Sequence, residues 1–103
     1  MKWCGAMEGR MRESSIERRL VQVVRQHGGL ALKLTSPNIA GVPDRLVLLP
    51  GGRVVFVELK APGQKLRPLQ QKRKRQLETL GFRVAVIDSR EAIQNFLESE
   101  VMP

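Results

Sequence analysis

Apolar residues recur at helical spacing between residues 13 and 27. Leu20 lies four positions after Ile16, and Val23 and Val24 follow Leu20 at three and four positions. This period predicts an amphipathic helix from Glu13 to His27, and the pair Gly28-Gly29 predicts its end. Ser14 and Glu17 have the spacing of a capping box, in which both side chains satisfy the first turn of a helix. Glu17 is therefore open to two interpretations, a capping residue or a residue of a functional site.

Three short apolar segments then predict β-strands. The first runs from Leu30 to Leu34 and is followed by a segment rich in turn residues, in which Gly41 suits either a simple turn or a close approach of the backbone to a phosphate or metal. The second and third strands, Arg45 to Leu49 and Arg53 to Lys60, are separated by Pro50-Gly51-Gly52. Their spacing predicts a β-hairpin.

The length of the hairpin loop decides which side chains share a face of the sheet. A three-residue loop places Leu49 opposite Arg53, and counting back along the antiparallel pair places Asp44 opposite Glu58. A two-residue loop would instead pair Pro50 with Arg53 and turn Asp44 to the other face. We favour the three-residue loop, because Pro50 has no N–H to close a hairpin and glycine suits the left-handed position of such loops.

The second half of the chain predicts a helix, a strand and another helix. Pro68 suits the first turn of the first of these helices, which ends at Gly81. One side of this helix carries Leu69, Arg73, Gln76, Leu77 and Leu80. Residues 82–87 form a buried strand, parallel to the preceding one because a helix connects the two. Ser89 caps a final helix that reaches about Glu98. The order of helix, three strands, helix, strand and helix is typical of an α/β fold with a mixed sheet.

The amino-acid composition of the chain indicates which class of molecule it binds. The chain has 103 residues, which suits one domain with a modest core, and we expect residues 13–103 to form it. A formal net charge of +8 and a pI of about 10.8 favour a polyanion such as nucleic acid. No basic amphipathic segment with large apolar anchors indicates a membrane surface, and no apolar run is long enough to span a membrane.

The N-terminal segment has no pattern of apolar and polar residues that predicts a helix or a strand. Residues 1–12 have scattered charges and no apolar signal-peptide core, so we expect a flexible tail. Cys4 is the single cysteine of the chain, which excludes an internal disulfide and a cysteine-cluster zinc site. These features favour an intracellular setting.

The residues with catalytic potential lie on the predicted hairpin. Asp44 enters one strand, while Glu58 and Lys60 leave the next and point to the same face. Two carboxylates are the usual protein contribution to a Mg²⁺ site that also binds phosphate, and the backbone carbonyl of Leu59 could add an oxygen ligand. Lys60 could then orient a water molecule or offset charge in the transition state. The alternative is a same-face ion pair of Glu58 with Lys60 and a turn residue at Asp44.

Basic residues follow this candidate site without any acidic residue among them. After Lys60 they are Lys65, Arg67, Lys72, Arg73, Lys74 and Arg75. A run of charge is often only a solvated helix face. Because this run directly follows the candidate site, we interpret it as a surface that contacts the phosphate backbone of a nucleic acid.

The sequence at these positions resembles that of the virus-type replication-repair nuclease (VRR-NUC) domains of the PD-(D/E)xK superfamily. The similar motifs are Gly41-Val42-Pro43-Asp44, Glu58-Leu59-Lys60 and Gln70. The resemblance implies a restriction-endonuclease-like αβββαβ core, a mixed central sheet flanked by helices, with an extra C-terminal helix. It also implies an endonuclease that uses Mg²⁺ or Mn²⁺. Asp44, Glu58 and, on the first helix, Glu17 would be metal ligands, Lys60 the catalytic lysine, and Gln70 a residue that steadies the site.

Small members of this group resemble dimeric Holliday-junction resolvases. The resemblance therefore implies a homodimer that cuts branched DNA, since two sites related by a two-fold axis suit a four-way junction. Two alternatives stay open at this point. One is a basic module that binds DNA without cutting it, and the other is a nuclease that acts on ordinary duplex or flap DNA.

Overall fold

A computed structural model describes residues 12–102 of the protein. Its helices are α1 (Glu13–Gln26), α2 (Pro68–Thr79) and α3 (Arg90–Phe96), and its strands are β1 (Leu30–Lys33), β2 (Arg45–Leu49), β3 (Arg53–Leu59) and β4 (Arg83–Ile87). The predicted order of elements is confirmed. A π-helical segment, Leu97–Val101, continues α3 beyond the predicted end. Of the predicted N-terminal tail, all but Arg12 lies outside the described residues, and no helix within residues 12–102 is long and apolar enough to cross a membrane.

The four strands form one mixed sheet in the order β1-β2-β3-β4. The first three strands are antiparallel neighbours, and β4 is parallel to β3 as the intervening helix predicts. Leu49 pairs with Arg53, so the predicted three-residue loop is confirmed. Gly51 and Gly52 have φ angles of 84° and 76°. A residue with a side chain is strained in that left-handed region, which explains why glycine occupies both positions.

The hydrophobic core lies between one face of the sheet and the helices α1 and α3. Its most deeply buried members are Ile16, Leu20, Val23, Val24, Val47, Val55, Val57, Leu59, Ile87, Ile93 and Phe96. Strand residues reach this core at every second position, because successive side chains of a strand point to opposite faces. A fully buried valine or leucine contributes about 1.5–3 kcal/mol through the loss of apolar surface from water, so this face anchors the sheet.

The two ends of α1 differ in how well the sequence predicts them. Arg12 precedes the helix in extended conformation, and its carbonyl oxygen accepts hydrogen bonds from the N–H groups of Ser15 and Ile16. The predicted capping box of Ser14 is therefore wrong, because Ser14 already lies inside the first turn. The C-terminal end is as predicted: Gly28 has a φ of 85°, and the N–H of Gly29 donates to Val24.

Helix α2 is far more exposed than its apolar positions predict. Gln70 is its only buried residue, while Leu69 and Leu80 are exposed. The side that carries Leu69 and Leu80 is therefore not a buried face, although Leu77 on the same side is half-buried. The first turn packs instead on the loop before β2, where a Cβ atom on Gly41 would lie 2.7 Å from the carbonyl oxygen of Leu69. Arg73 Nε also donates to the Ala40 carbonyl at 3.1 Å. These contacts place the N-terminus of α2 beside Asp44.

Candidate active site

Asp44 lies immediately before β2, and its side chain reaches across to β3. The pairing of Arg45 with Val57, continued by one residue, brings Asp44 level with Glu58. Asp44 Oδ2 accepts a hydrogen bond of 2.8 Å from the backbone N–H of Leu59. The carbonyl oxygen of Asp44 accepts another, of 2.9 Å, from the N–H of Leu34. The structure thus fixes Asp44 from both neighbouring strands and brings it next to Glu58.

Glu58 is a buried carboxylate near the end of β3. Only 4% of its surface is exposed, because it lies on the face of the sheet that α2 approaches with its first turn. Its Oε2 atom accepts a hydrogen bond of 2.7 Å from Gln70 Nε2 and lies 3.6 Å from Lys60 Nζ. Lys60 and Gln70 are buried as well. The alternation of β3 therefore brings Glu58 and Lys60 together as the sequence predicts.

The environment of Glu58 disfavours its ionised form. Burial, first, and then the nearby negative charge of Asp44 raise the pKa of Glu58 from an ordinary 4.5 to about 7, although the charge of Lys60 acts in the opposite direction. Two neighbouring carboxylates repel each other when both are ionised, unless a proton or a cation lies close by. The pair consequently has the charge and the oxygen atoms that suit a divalent cation.

Gln70 joins the end of β3 to the start of α2. Its Nε2 atom donates to Glu58, and its Oε1 atom accepts a hydrogen bond of 2.9 Å from the backbone N–H of Arg67. Only this orientation of the amide satisfies both partners, since a backbone N–H needs an acceptor and a carboxylate needs a donor. Gln70 therefore caps α2 and holds Glu58 at the same time.

The structure does not bring Glu17 to this site. Glu17 Oε2 accepts hydrogen bonds from Arg45 Nη2 at 2.7 Å and from Arg45 Nε at 3.1 Å, and Arg45 also donates to the Ala31 carbonyl. Because Arg45 points to the core face of β2, this ion pair connects α1 to the sheet. Glu13 lies one turn earlier, lines the cleft beside Glu58, and its charge contributes to the raised pKa of Glu58.

Sequence reasoning missed Glu13, although a signal was available. Glu13 and Glu17 are four residues apart and therefore lie on the same side of α1. The alternation of β2 turns Arg45 toward the core, where a guanidinium requires an acidic partner. Assigning Glu17 to Arg45 would have left Glu13 as the acid of α1 that is available to the site.

These side chains line an open cleft of about 480 Å³. Its walls are formed by Glu13, Asp44, Glu58, Leu59, Lys60, Gln64, Lys65, Arg67 and Gln70. The lining combines three acidic side chains with basic ones, among them Lys65 and Arg67 from the loop before α2. Within residues 12–102, no group of three or more acidic, histidine or cysteine side chains is arranged to hold a metal without other ligands. A cation here would thus need further oxygen atoms from backbone, water or a bound phosphate.

A sequence model of the VRR-NUC domain matches residues 10–91. The chain belongs to the VRR-NUC domain family. One relative, named "Putative nuclease p44", comes from Acyrthosiphon pisum secondary endosymbiont phage 1 and is 52% identical over 81 residues, which cover 79% of this chain and 87% of the relative. A solved structure of a VRR_NUC domain superposes with a TM-score of 0.81 at 29% identity, covering 85% of this chain and 96% of the other. The predicted family and the predicted fold class are confirmed.

The six basic residues between Lys65 and Arg75 of this VRR-NUC domain divide into two groups by their contacts. Lys65 and Arg67 line the cleft, and Lys72 and Arg75 are exposed on α2, as the predicted phosphate-contacting surface requires. The other two make contacts within the protein. Arg73 binds the Ala40 carbonyl and Gln76, and Lys74 Nζ lies 2.9 Å from Glu78 Oε2.

Proposed function

We propose that this VRR-NUC domain is a Mg²⁺- or Mn²⁺-dependent endonuclease that hydrolyses phosphodiester bonds in DNA. The observation that carries the proposal is the meeting of Asp44 and Glu58 in one cleft, with Lys60 Nζ 3.6 Å from Glu58. The family and the phage relative's name support a nuclease. The rest of the cleft supports an anionic substrate, because Lys65 and Arg67 line it.

The proposed metal ligands are the carboxylates of Asp44 and Glu58, together with the backbone carbonyl of Leu59. The residues fit a divalent cation, since the charge of Asp44 is one cause of the raised pKa of Glu58 and a cation would relieve that repulsion. When bound, the ion would polarise the scissile phosphate and lower the pKa of a coordinated water. We assign the additional carboxylate of α1 to Glu13 in place of Glu17.

Lys60 and Gln70 have different proposed roles. The ammonium group of Lys60 is buried beside Glu58, where it can hold a water molecule for attack or offset the negative charge that develops on the phosphate. Gln70 is a positioning residue, because it contacts Glu58 and the backbone of Arg67. It keeps the Glu58 carboxylate in one orientation while a substrate enters the cleft.

The proposed DNA contacts are Lys65, Arg67, Lys72 and Arg75. Phosphate contacts of this kind bind DNA without reading its sequence. We assign a smaller part to Arg73 and Lys74, since both make contacts within α2 or to the neighbouring loop. A basic surface beside an acidic cleft favours cleavage over simple binding, because a module that only binds DNA gains nothing from buried carboxylates that repel phosphate.

The proposed substrate is branched DNA such as a Holliday junction, cut by a homodimer in an intracellular setting. A panel of labelled junction, flap and linear duplex tests the proposal, with Mg²⁺, with Mn²⁺ and with EDTA. Metal-dependent cleavage that is fastest on the junction is the expected result. Equal or faster cleavage of flap or linear duplex would favour the alternative substrates, and salt-sensitive binding without cleavage would favour a DNA-binding module.

A further inference from the structure

The strand register leaves one face of the sheet almost free of polar residues. This face, which we call the outer face, is opposite to the one that packs on α1 and α3. Residues that pair directly across strands share a face, so the register gives its composition. The outer face carries Leu30, Leu48 and Val54 in one row, Leu32, Leu46, Phe56 and Val84 in the next, and Glu58 with Val86 in the last. Glu58, at the active-site end, is the only charged residue of the four strands on this face.

Much of the outer face is open to solvent in the single chain. Leu30 is 54% exposed, Leu32 44% and Val86 38%, whereas Val47 and Val57 on the core face are fully buried. Helix α2 reaches the outer face at Glu58, through Gln70, and packs along β4. This contact covers Glu58, whereas Leu30 and Leu32 on β1, and Val86 in the row of Glu58, stay exposed.

The apolar surface extends beyond the strands. Phe82, just before β4, contacts Phe56 edge to face with ring centroids 5.5 Å apart, and 43% of its surface is exposed. Together with the half-buried leucines and valines, the exposed parts amount to on the order of 400 Å² of apolar surface, a size at which the largest apolar patch of a protein is often functional. Two such surfaces with their polar rims reach the ~1,200 Å² at which specific interfaces begin.

The chemical character of the outer face indicates which kind of partner can bind it. A face without basic side chains offers nothing to phosphate, so it does not suit DNA. The chain as a whole has a net charge of +8, so two copies repel each other at long range. Contact through the outer face adds no further repulsion between basic side chains, because the strand residues of this face include no lysine or arginine. A sheet face also packs well on a second sheet face, and a two-fold axis lets one surface serve both partners.

We infer that a second copy of this chain packs its outer face on the first, with Leu30 and Leu32 in the contact. This inference names the surface of the homodimer that belongs to the proposed function. The two active sites then lie at the Glu58 ends of the two outer faces, beside α2. The active-site clefts stay open to DNA. A substitution at Leu32 tests the contact best, because Leu32 is exposed in the single chain and its row of paired residues crosses all four strands.

Sedimentation equilibrium over a range of concentrations tests the inference. The variant is Leu32→Glu, which places a charge in the contact without removing a core side chain. The matched control is Leu80→Glu, because Leu80 is 68% exposed and follows directly after α2, so it is not one of the strand residues that form the outer face. We expect the wild type and the control to sediment with twice the 11.6 kDa chain mass and the dissociation constant of Leu32→Glu to rise at least about a hundredfold. Circular dichroism of both variants checks that the fold is kept, and Leu30→Gln gives a milder second probe.

Two results would overturn the inference. One is a wild-type protein that stays monomeric at every concentration, and the other is a dimer whose dissociation constant is unchanged in Leu32→Glu and in Leu30→Gln. Neither outcome touches the cleavage chemistry, because no active-site residue is altered. Conversely, a dimer of normal strength that cuts no DNA would contradict the proposed function and leave this surface in place.

Discussion

The side chains of Gln70 and Glu58 are joined by a hydrogen bond of 2.7 Å, which connects the first turn of α2 to the end of β3. Both residues are buried, so water does not compete for this contact. The same Gln70 side chain accepts a hydrogen bond from the backbone of Arg67. Through this one amide, the orientation of the proposed metal ligand depends on the start of a helix that has few other contacts with the sheet.

Replacing Gln70 should therefore weaken the site more than the fold. In Gln70→Ala the Glu58 carboxylate loses its fixed donor, and we expect a 10–100-fold loss of cleavage with a higher metal concentration needed for half-maximal rate. Loss of the cap on α2 should cost about 1 kcal/mol of unfolding free energy. Metal titrations of the cleavage rate measure the first effect, and urea denaturation measures the second.

The matched control is Gln71→Ala, since Gln71 is exposed and its side chain donates to the Leu66 carbonyl, away from Glu58. This variant should keep the metal requirement of the wild type. An unchanged metal requirement in Gln70→Ala would contradict the positioning role.

The raised pKa of Glu58 predicts how the stability of the metal-free protein depends on pH. The folded state holds the Glu58 proton up to about pH 7, whereas the unfolded chain releases it near 4.5, so folding takes up a proton between these values. Stability contributed by the protonated form is present below about pH 4.5 and is lost as the pH rises through about 7. Loss of roughly 3 kcal/mol is expected across this window.

Urea denaturation in EDTA at a series of pH values measures this dependence. Glu58→Gln carries no titrating group at this position and should lose less stability across the same window than the wild type does. Parallel curves for the two proteins would show that Glu58 does not have the pKa that its surroundings imply.

A divalent cation should stabilise the protein above pH 7 and do so through both carboxylates. A ligand at a concentration one hundred times its dissociation constant raises the unfolding free energy by about 2.7 kcal/mol. We expect Mn²⁺ to raise the melting temperature of the wild type and to have little effect on Asp44→Asn. The asparagine keeps an oxygen that can accept the N–H of Leu59, so the variant retains the local fold. Equal stabilisation of the two proteins by Mn²⁺ would argue against this site.

The two acids of α1 should separate into a site residue and a structural residue. Glu13→Gln removes a carboxylate from the cleft and should lower cleavage about tenfold or more, with little change in stability. Glu17→Gln leaves the half-buried Arg45 guanidinium without its charged partner and should cost about 1–3 kcal/mol of unfolding free energy. Cleavage rates and denaturation curves for both variants make the comparison, and the opposite pattern would return the site role to Glu17.

The basic residues of α2 should differ in their contribution to DNA binding. Lys72→Ala should weaken binding about equally for all DNA sequences and reduce the dependence of log affinity on log salt by about one. Lys74→Ala should change that slope less, because Lys74 is paired with Glu78. Fluorescence anisotropy at several salt concentrations measures both slopes. Identical slopes for Lys72→Ala and the wild type would remove Lys72 from the interface.

The sequence predicts the structure best where local chemistry allows only one conformation. Two glycines with positive φ angles and Pro50 define the hairpin loop, and the loop fixes the register that brings Asp44 to Glu58. The alternation of β3 then places Lys60 beside Glu58. These steps need only neighbours along the chain or across one hairpin.

Prediction fails where contacts between distant elements decide the outcome. The choice between Glu13 and Glu17 depends on Arg45, which lies 28 residues beyond Glu17. The position of α2 depends on its contact with the loop at Gly41 and on the buried Gln70, and it leaves Leu69 and Leu80 exposed. Helical periodicity predicts the side of a helix that could be buried, and only the tertiary structure decides whether it is.

The most direct test of the central claim is the cleavage rate of a labelled four-way DNA junction by the wild type, Asp44→Asn and Glu58→Gln, in Mg²⁺ or Mn²⁺ and in EDTA. If Asp44 and Glu58 together hold the catalytic cation, the wild type cuts only with metal, and each variant loses at least about a thousandfold in rate while it still folds and binds the junction. Metal-dependent cleavage that persists at the wild-type rate in either variant would contradict the account.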